Sequence, residues 1–302
     1  MRRPTVDLAR CRDCDACLEV CPGVFGRNED TGRLEVAERL YAHYNHRRWV
    51  HPDPLEFLYH YPDPAEREVA GLVASGLAYG RVGQILKSVS YVLDKMGPSP
   101  RMFLLESRDG DLHRTFSGFK HRFTTGGELA VFLTGIRGVL RSYGSLQEGF
   151  MAGYSPKDET VLPALEDFAA LLSAAFGGAR NSLLPRPARG SACKRLHLYL
   201  RWMVRKDGVD PGGWEGVDPS KLIIPLDTHM HRICKGLGLT ARRCADRKTA
   251  LESTRGFRTV APRDPVRYDF ALTRLGIRKD QGLEKILGEG FPCRAAPGGA
   301  ET

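Results

Sequence analysis

RPARGSACKRLHLYLRWMVRK, residues 186–206, is the stretch on which the reading of this chain turns. It carries seven Lys/Arg (Arg186, Arg189, Lys194, Arg195, Arg201, Arg205, Lys206) and no acid. After Gly190 and Ser191 the Pro/Gly/Arg character gives way to helical spacing. Leu196, Tyr199, Leu200 and Met203 recur at i, i+3, i+4 and i+7 and form one apolar stripe. Lys194, Arg201 and Arg205 fall on another face. The basic charge is therefore localised beside a Gly-containing turn, whose backbone N–H groups suit a phosphate. Ser191 as N-cap places Lys194 at the third helical position. The helix dipole is positive there and disfavours an ammonium, the circumstance that turns a lysine into a nucleophile. An exposed lysine, or one that touches phosphate, is the plainer reading of the same position.

The next informative stretch is LIIPLDTHMHRICKGLGL, residues 222–239. An apolar run ends at Pro225, and Asp227 is a good N-cap for a following helix, with Thr228 as competitor. Capping alone accounts for Asp227. His229 and His231 stand two apart, so on a helix they do not share a face and do not make a metal pair.

The chain has 302 residues, 42% hydrophobic and 27% charged, which is the composition of an ordinary globular protein with one large domain or two smaller ones. No apolar run is long enough to span a membrane, and MRRPTVDLAR has no signal-peptide core. The expected location is the cytoplasm, with the nucleoid as the place of work. The net charge of +9 points to a polyanion, most simply nucleic acid.

CRDCDACLEVCP, residues 11–22, has the spacing C-x2-C-x2-C-x3-C-P. In a reducing cytosol clustered cysteines bind metal rather than form disulfides. This spacing resembles an iron–sulfur ferredoxin motif. Four thiolates suit zinc as well. The -CP ending and the following Val24 and Phe25 favour an iron–sulfur cluster, probed by its visible absorbance and by metal analysis. The resemblance to single-cluster ferredoxins implies a 4Fe-4S cluster on Cys11, Cys14 and Cys17, with Cys21 or Cys293 as competing fourth ligands. Cys193, Cys234 and Cys244 read as small buried or surface residues.

Along the chain, residues 1–36 form a cysteine-bearing unit in which Asn28, Glu29, Asp30 and Gly32 suggest a turn between short strands. Residues 34–46 turn helical through Val36, Leu40, Tyr41 and Tyr44. Residues 65–97 suggest a tightly packed or broken helix pair, residues 114–150 two more helices, and residues 159–176 another. A Gly/Pro loop covers residues 207–220, and a last helix lies around PVRYDFALTRLG. The body, residues 37–290, is expected to be mainly α, with residues 291–302 a tail.

Together, ACKRLHLYL and PLDTHMHRICKGLGL resemble the helix-hairpin-helix DNA glycosylases with a Gly/Pro-rich loop and a paired Asp. In that superfamily a lysine ends the hairpin and an aspartate opens a later helix in a V-D-T-H-x-x-R type motif; here it reads LDTHMHR. The separation, 227 − 194 = 33, resembles the archaeal 8-oxoguanine glycosylase branch more than endonuclease III. DPLEFLY, LAYGRVGQILKSV and DPVRYDFALTRLGI also resemble an uncharacterised bacterial family of glycosylase relatives over roughly residues 37–280. The hairpin departs from the usual two glycines, keeping only Gly190. The C-terminal cluster motif of endonuclease III, C-x6-C-x2-C-x5-C, is missing.

The resemblance implies a helix-hairpin-helix bundle that excises a damaged base, such as an oxidised purine, from double-stranded DNA. Lys194 would attack the sugar C1′ to give a Schiff base with AP lyase activity, and Asp227 would stabilise the positive charge on the sugar. Arg186, Arg189, Gly190, Ser191, Arg195, Arg201 and Arg205 would hold DNA. Tyr79, Trp202 and Phe270 are candidate platforms for the base by residue type, with a place in the core as the plainer reading of each; Gln84 is a candidate gap filler, and Asp269 either a base contact or the partner of Arg274. The chain is expected to act as a monomer, with a redox partner for the cluster as an option. Two other classes share some of these features: a non-catalytic nucleic-acid-binding protein, which needs the basic patch but not both Lys194 and Asp227, and an iron–sulfur electron-transfer protein.

Overall fold

The computed structural model describes residues 30–108 and 110–277. Cys11, Cys14, Cys17, Cys21 and Cys293, the residue 291–302 tail and most of residues 1–36 lie outside them. Twelve α-helices make up the described fold, with a two-residue strand pair between the fifth and sixth. Helix α1 is Asp30–Tyr44, α2 Pro64–Gly76, α3 Val82–Met96, α4 Pro100–Glu106, α5 Asp111–Thr115 and α6 Gly126–Tyr143. Then follow α7 Leu146–Met151, α8 Leu162–Ser173, α9 Lys194–Val204, α10 Thr228–Gly236, α11 Arg247–Val260 and α12 Asp269–Ile277. Strands β1 (Lys120–His121) and β2 (Thr124–Thr125) pair antiparallel. No described helix is long and apolar enough to cross a membrane.

The centre is α2. Asp63 caps it by accepting from the Ala65 N–H, Pro64 starts it without a wasted donor, and every residue from Glu68 to Gly76 is buried. The only charge among them, Glu68, is an internal cap. Its carboxylate accepts from the Leu146 and Gln147 N–H groups at the start of α7 (2.7 and 2.9 Å) and from the Trp214 indole (2.9 Å). Helix α9 packs across α2 where Gly71 has no side chain, since a Cβ there would lie 3.2 Å from Leu58 and 3.4 Å from Tyr199. Helix α6 starts with a capping box between Thr125 and Glu128. It passes so close to α8 at Gly135 that a Cβ would sit 2.1 Å from the Leu172 carbonyl oxygen.

The expected stripe of α9 is buried: Leu196, Tyr199, Leu200 and Met203 are each at most 2% exposed. His197, Arg201, Trp202 and Val204 are buried too, so α9 is a core helix covered on nearly every side after its first turn. The helix pair in residues 65–97 is α2 and α3, broken at the Leu77–Arg81 turn. Asp30 and Gly32, read as part of a turn between strands, lie in the first turn of α1. The segment expected to hold two helices also contains the β1–β2 hairpin. Helix α11, which no sequence pattern announced, is capped by Asp246, whose side chain accepts from the Thr249 N–H.

Candidate active site

Lys194 and Asp227 meet. The Lys194 Nζ lies 2.9 Å from Asp227 Oδ2, and the two side chains remain 35% and 26% exposed, so the pair is open to solvent and to a ligand. Local structure explains both positions. Asp227 is the N-cap of α10 and accepts from the Met230 N–H at 2.8 Å through its other oxygen, Oδ1. Lys194 is the first residue of α9 rather than the third. Cys193, not Ser191, is the N-cap, in a left-handed conformation (φ 46°). A non-glycine residue there costs about 1–2 kcal/mol. The Ser191 hydroxyl instead accepts from the Cys193 N–H at 3.2 Å. The lysine thus stands at the mouth of its helix, facing the start of another.

Burial alone would push the Asp227 carboxyl up. The Lys194 ammonium, the hydrogen bonds from Lys194 and the Met230 N–H, and His229 outweigh it, so Asp227 is held below the usual carboxylate range. The nearby Asp269 goes the other way. Burial raises it to about 6 against the opposing pull of Arg201, and the Asp227 and Asp210 charges add to the rise. Asp269 Oδ1 is a buried acceptor without a hydrogen-bond partner among the described residues. Two carboxyls in one region are therefore driven apart, one held below and the other above the usual carboxylate range.

The basic stretch divides. Arg201 and Arg205, expected on the DNA face, are 3% and 4% exposed and cannot reach a phosphate. Arg201 pairs with Asp210 (3.2 Å) and Asp269; Arg205 pairs with Asp207 (2.7 Å), Asp210 and Asp264 (2.9 Å). Arg195 is turned inward as well. It donates to the Gly76 carbonyl (2.6 Å), closing the C-terminus of α2, and to the Ser182 carbonyl (2.8 Å). Arg186 is half-buried and donates to the Ala179 carbonyl at 2.6 Å. Arg189 and Ser191 are exposed. Gly190 is left-handed (φ 79°), but its N–H is already spent on the Pro187 carbonyl at 3.0 Å and is not free for a phosphate.

Trp202 is fully buried and Phe270 nearly so; both are core, not platforms for a base. Asp269 pairs with Arg201 and not with Arg274, which pairs with Asp53. Tyr79 is half-buried. Its ring stacks on Phe123 (5.1 Å between centroids, 26°) and carries the Arg195 guanidinium 5.1 Å from its centre. Gln84 is exposed on the first turn of α3. His229 is exposed while His231 is buried, with Nε2 2.9 Å from the Arg242 carbonyl.

Residues 240–248, TARRCADRK, join the site although nothing in the sequence linked them to the loop that precedes α9. Ser191 pairs with Asp246 as an isolated β-bridge, and the Arg247 N–H donates to the Gly190 carbonyl at 3.0 Å. Arg243 and Lys248 are exposed next to this junction. The run of four cations in nine residues was the available signal; its neighbour in space was not.

Burial pushes the thiols of Cys193 and Cys234 up to about 11 and about 12. Both are neutral thiols at physiological pH and do not suit a cluster, which needs thiolates. The N-terminal cysteines, which carry the C-x2-C-x2-C-x3-C-P spacing, lie outside the described residues. Among the described residues no group of three or more His, Cys, Asp or Glu is arranged to hold a metal ion.

Comparison with known proteins agrees with the N-terminal reading. Residues 6–45 match the 4Fe-4S single cluster domain of Ferredoxin I, a span that includes α1. No curated protein and no solved structure matches the chain. Residues 53–278, well over half of the 302, match a family described as protein of unknown function (DUF2400), and the chain belongs to that family.

Proposed function

We propose that this protein is a DNA repair glycosylase with AP lyase activity, acting on double-stranded DNA that carries a damaged base, of which an oxidised purine is one candidate. The observation that carries the reading is the 2.9 Å contact between Lys194 and Asp227, two solvent-open side chains supplied by the first turns of two different helices. Capping explains Asp227 by itself, but it does not explain a lysine placed against it at the opening of α9.

In the free protein the two form an ion pair. Lys194 must shed a proton before its Nζ can attack the sugar C1′. The C1′–N bond breaks as the Nζ–C1′ bond forms, and the base leaves with the bonding electrons and takes up the proton that Lys194 has shed; the C1′–O4′ bond then opens, O4′ taking a proton from the attached nitrogen, and the sugar is left as a Schiff base on Lys194. Asp227 is held ionised, so its part is to stabilise the positive charge that develops on the sugar. Arg189, Arg243 and Lys248 are the exposed cations beside the hairpin that suit phosphates. The N-terminal segment would hold a 4Fe-4S cluster through Cys11, Cys14 and Cys17, with Cys21 or Cys293 as the fourth thiolate.

The test is borohydride trapping of the full chain on a panel of duplexes, each with a single damaged base. The expected outcome is a covalent protein–DNA adduct on at least one of them and its disappearance in Lys194→Gln. Excision and trapping that survive this substitution would overturn the assignment.

A further inference from the structure

The most exposed large apolar side chain among the described residues is Phe123, 65% exposed at the tip of the β1–β2 hairpin. The core does not need it, yet the chain holds it firmly. On one side of the tip, His121 is fully buried, with Nδ1 2.9 Å from the Ser88 hydroxyl and Nε2 3.0 Å from the Tyr79 carbonyl. On the other side the buried Thr124 hydroxyl meets the hydroxyls of Tyr79 and Ser182. Between them the backbone turns through Arg122 in the left-handed region (φ 53°), a conformation that costs a non-glycine residue about 1–2 kcal/mol. Gly80 (φ 98°) makes room for this turn, because a Cβ there would lie 2.8 Å from Arg122 Cδ.

The ring is aimed as well as anchored. It stacks on Tyr79 beneath it, and Tyr79 in turn packs against the guanidinium of Arg195, the residue after Lys194. The outer face of Phe123 is open. Lys120, Arg122 and Arg81 are exposed on the same hairpin and the facing turn, and Val82 there is 40% exposed. A flat aromatic face with exposed cations on its own hairpin and on the facing turn matches a nucleobase on a phosphate backbone, which offers a π-face and negative charge together. It matches a protein core or a lipid surface poorly, since only one large apolar ring is on offer.

We infer that Phe123 is a stacking contact for an unpaired base of the bound DNA, held rigid by His121 and Thr124 and linked through Tyr79 to Arg195, the residue that follows Lys194 in the chain. The inference rests on the DNA reading above and adds to it what the protein recognises: a base that has lost its partner. Arg122 and Arg81 hold the flanking phosphates.

The experiment uses the full chain and two duplexes of one sequence. In one, a 2-aminopurine stands opposite an abasic gap; the other is fully paired. The parent protein is expected to bind the gapped duplex about tenfold more tightly than the paired one and to change the 2-aminopurine fluorescence. Phe123→Ala should lose that preference and the fluorescence change, with unaltered affinity for the paired duplex and an unaltered Tm; Phe123→Tyr should retain both. A preference that survives Phe123→Ala, or an equal loss of affinity for both duplexes, would overturn the inference. So would a Phe123-dependent self-association with no effect on DNA. If Lys194-dependent trapping persists while Phe123→Ala binds as the parent does, this inference fails and the glycosylase reading stands; if no duplex is bound or trapped, both fall.

Discussion

The cations at the two ends of α9 meet opposite fates. At its start, Lys194 keeps a single acidic partner and a third of its surface. At its end, Arg201 and Arg205 are sealed in by four aspartates: Asp207 and Asp210 from the following loop, Asp264 from the loop before α12, and Asp269 from α12 itself. All three are cations and they lie within twelve positions of one another. What differs is which acids the fold brings to them. A cation offered one carboxylate at an open helix end is available for chemistry. A cation surrounded by several in the core is a structural tie, and the acids around it contribute little to binding DNA.

The sharpest way to test that contrast is to remove the shared acid. Asp210 is fully buried and pairs with both arginines, so Asp210→Ala leaves two buried guanidiniums short of charge. The expected loss is about 3–5 kcal/mol of stability, read as a large drop in Tm. Asp227→Asn should behave in the reverse manner. Asparagine still caps α10, so Tm should hardly move. The rate of base excision should fall about 10²–10³-fold, the loss expected when a preorganised electrostatic contact to the transition state is removed. If Asp227→Asn unfolds the protein, or Asp210→Ala leaves Tm unchanged, the division into a working pair and a structural network is wrong.

The smallest effect concerns pH. Asp269 has its carboxyl raised to about 6 in the folded protein, above its value of 3.8 in an unfolded chain. The folded state therefore holds the proton more tightly. The contribution is fully present below about pH 4 and is lost as pH rises through about 6. Asp269→Asn should flatten the pH dependence of Tm in that window, an effect of at most about 3 kcal/mol. An unchanged slope would mean that Arg201 holds Asp269 ionised throughout.

Much of the site was legible along the chain, for stated reasons. Asp227 opens α10 because an aspartate after an apolar run and before helical spacing is a cap, which is a local fact. Leu196, Tyr199, Leu200 and Met203 face the core because a 3.6-residue period can bury one stripe. Other assignments failed for reasons no local pattern carries. Ser191 looked like the cap of α9, but its backbone is committed to the bridge with Asp246, and Cys193 takes the cap in a left-handed turn. Trp202 and Arg201 looked available because their helix seemed to have an outer face. Helix α9 is instead enclosed, so the face opposite the stripe is core as well.

By itself, the sequence determined most of the helical elements and the cysteine-bearing N-terminal segment that matches a single-cluster ferredoxin domain, while Lys194 and Asp227 were singled out together by the resemblance to the glycosylases. The first two depend on spacing within a few residues, where backbone geometry leaves little freedom. Only the tertiary structure decided that Lys194 and Asp227 are 2.9 Å apart, that Arg201 and Arg205 are spent on internal acids, and that Phe123 stands out on an anchored hairpin. Those outcomes depend on groups distant in sequence competing for the same buried volume and the same charges. Burial makes an unpaired charge costly, so the acids that arrive from elsewhere in the chain settle which cations remain free.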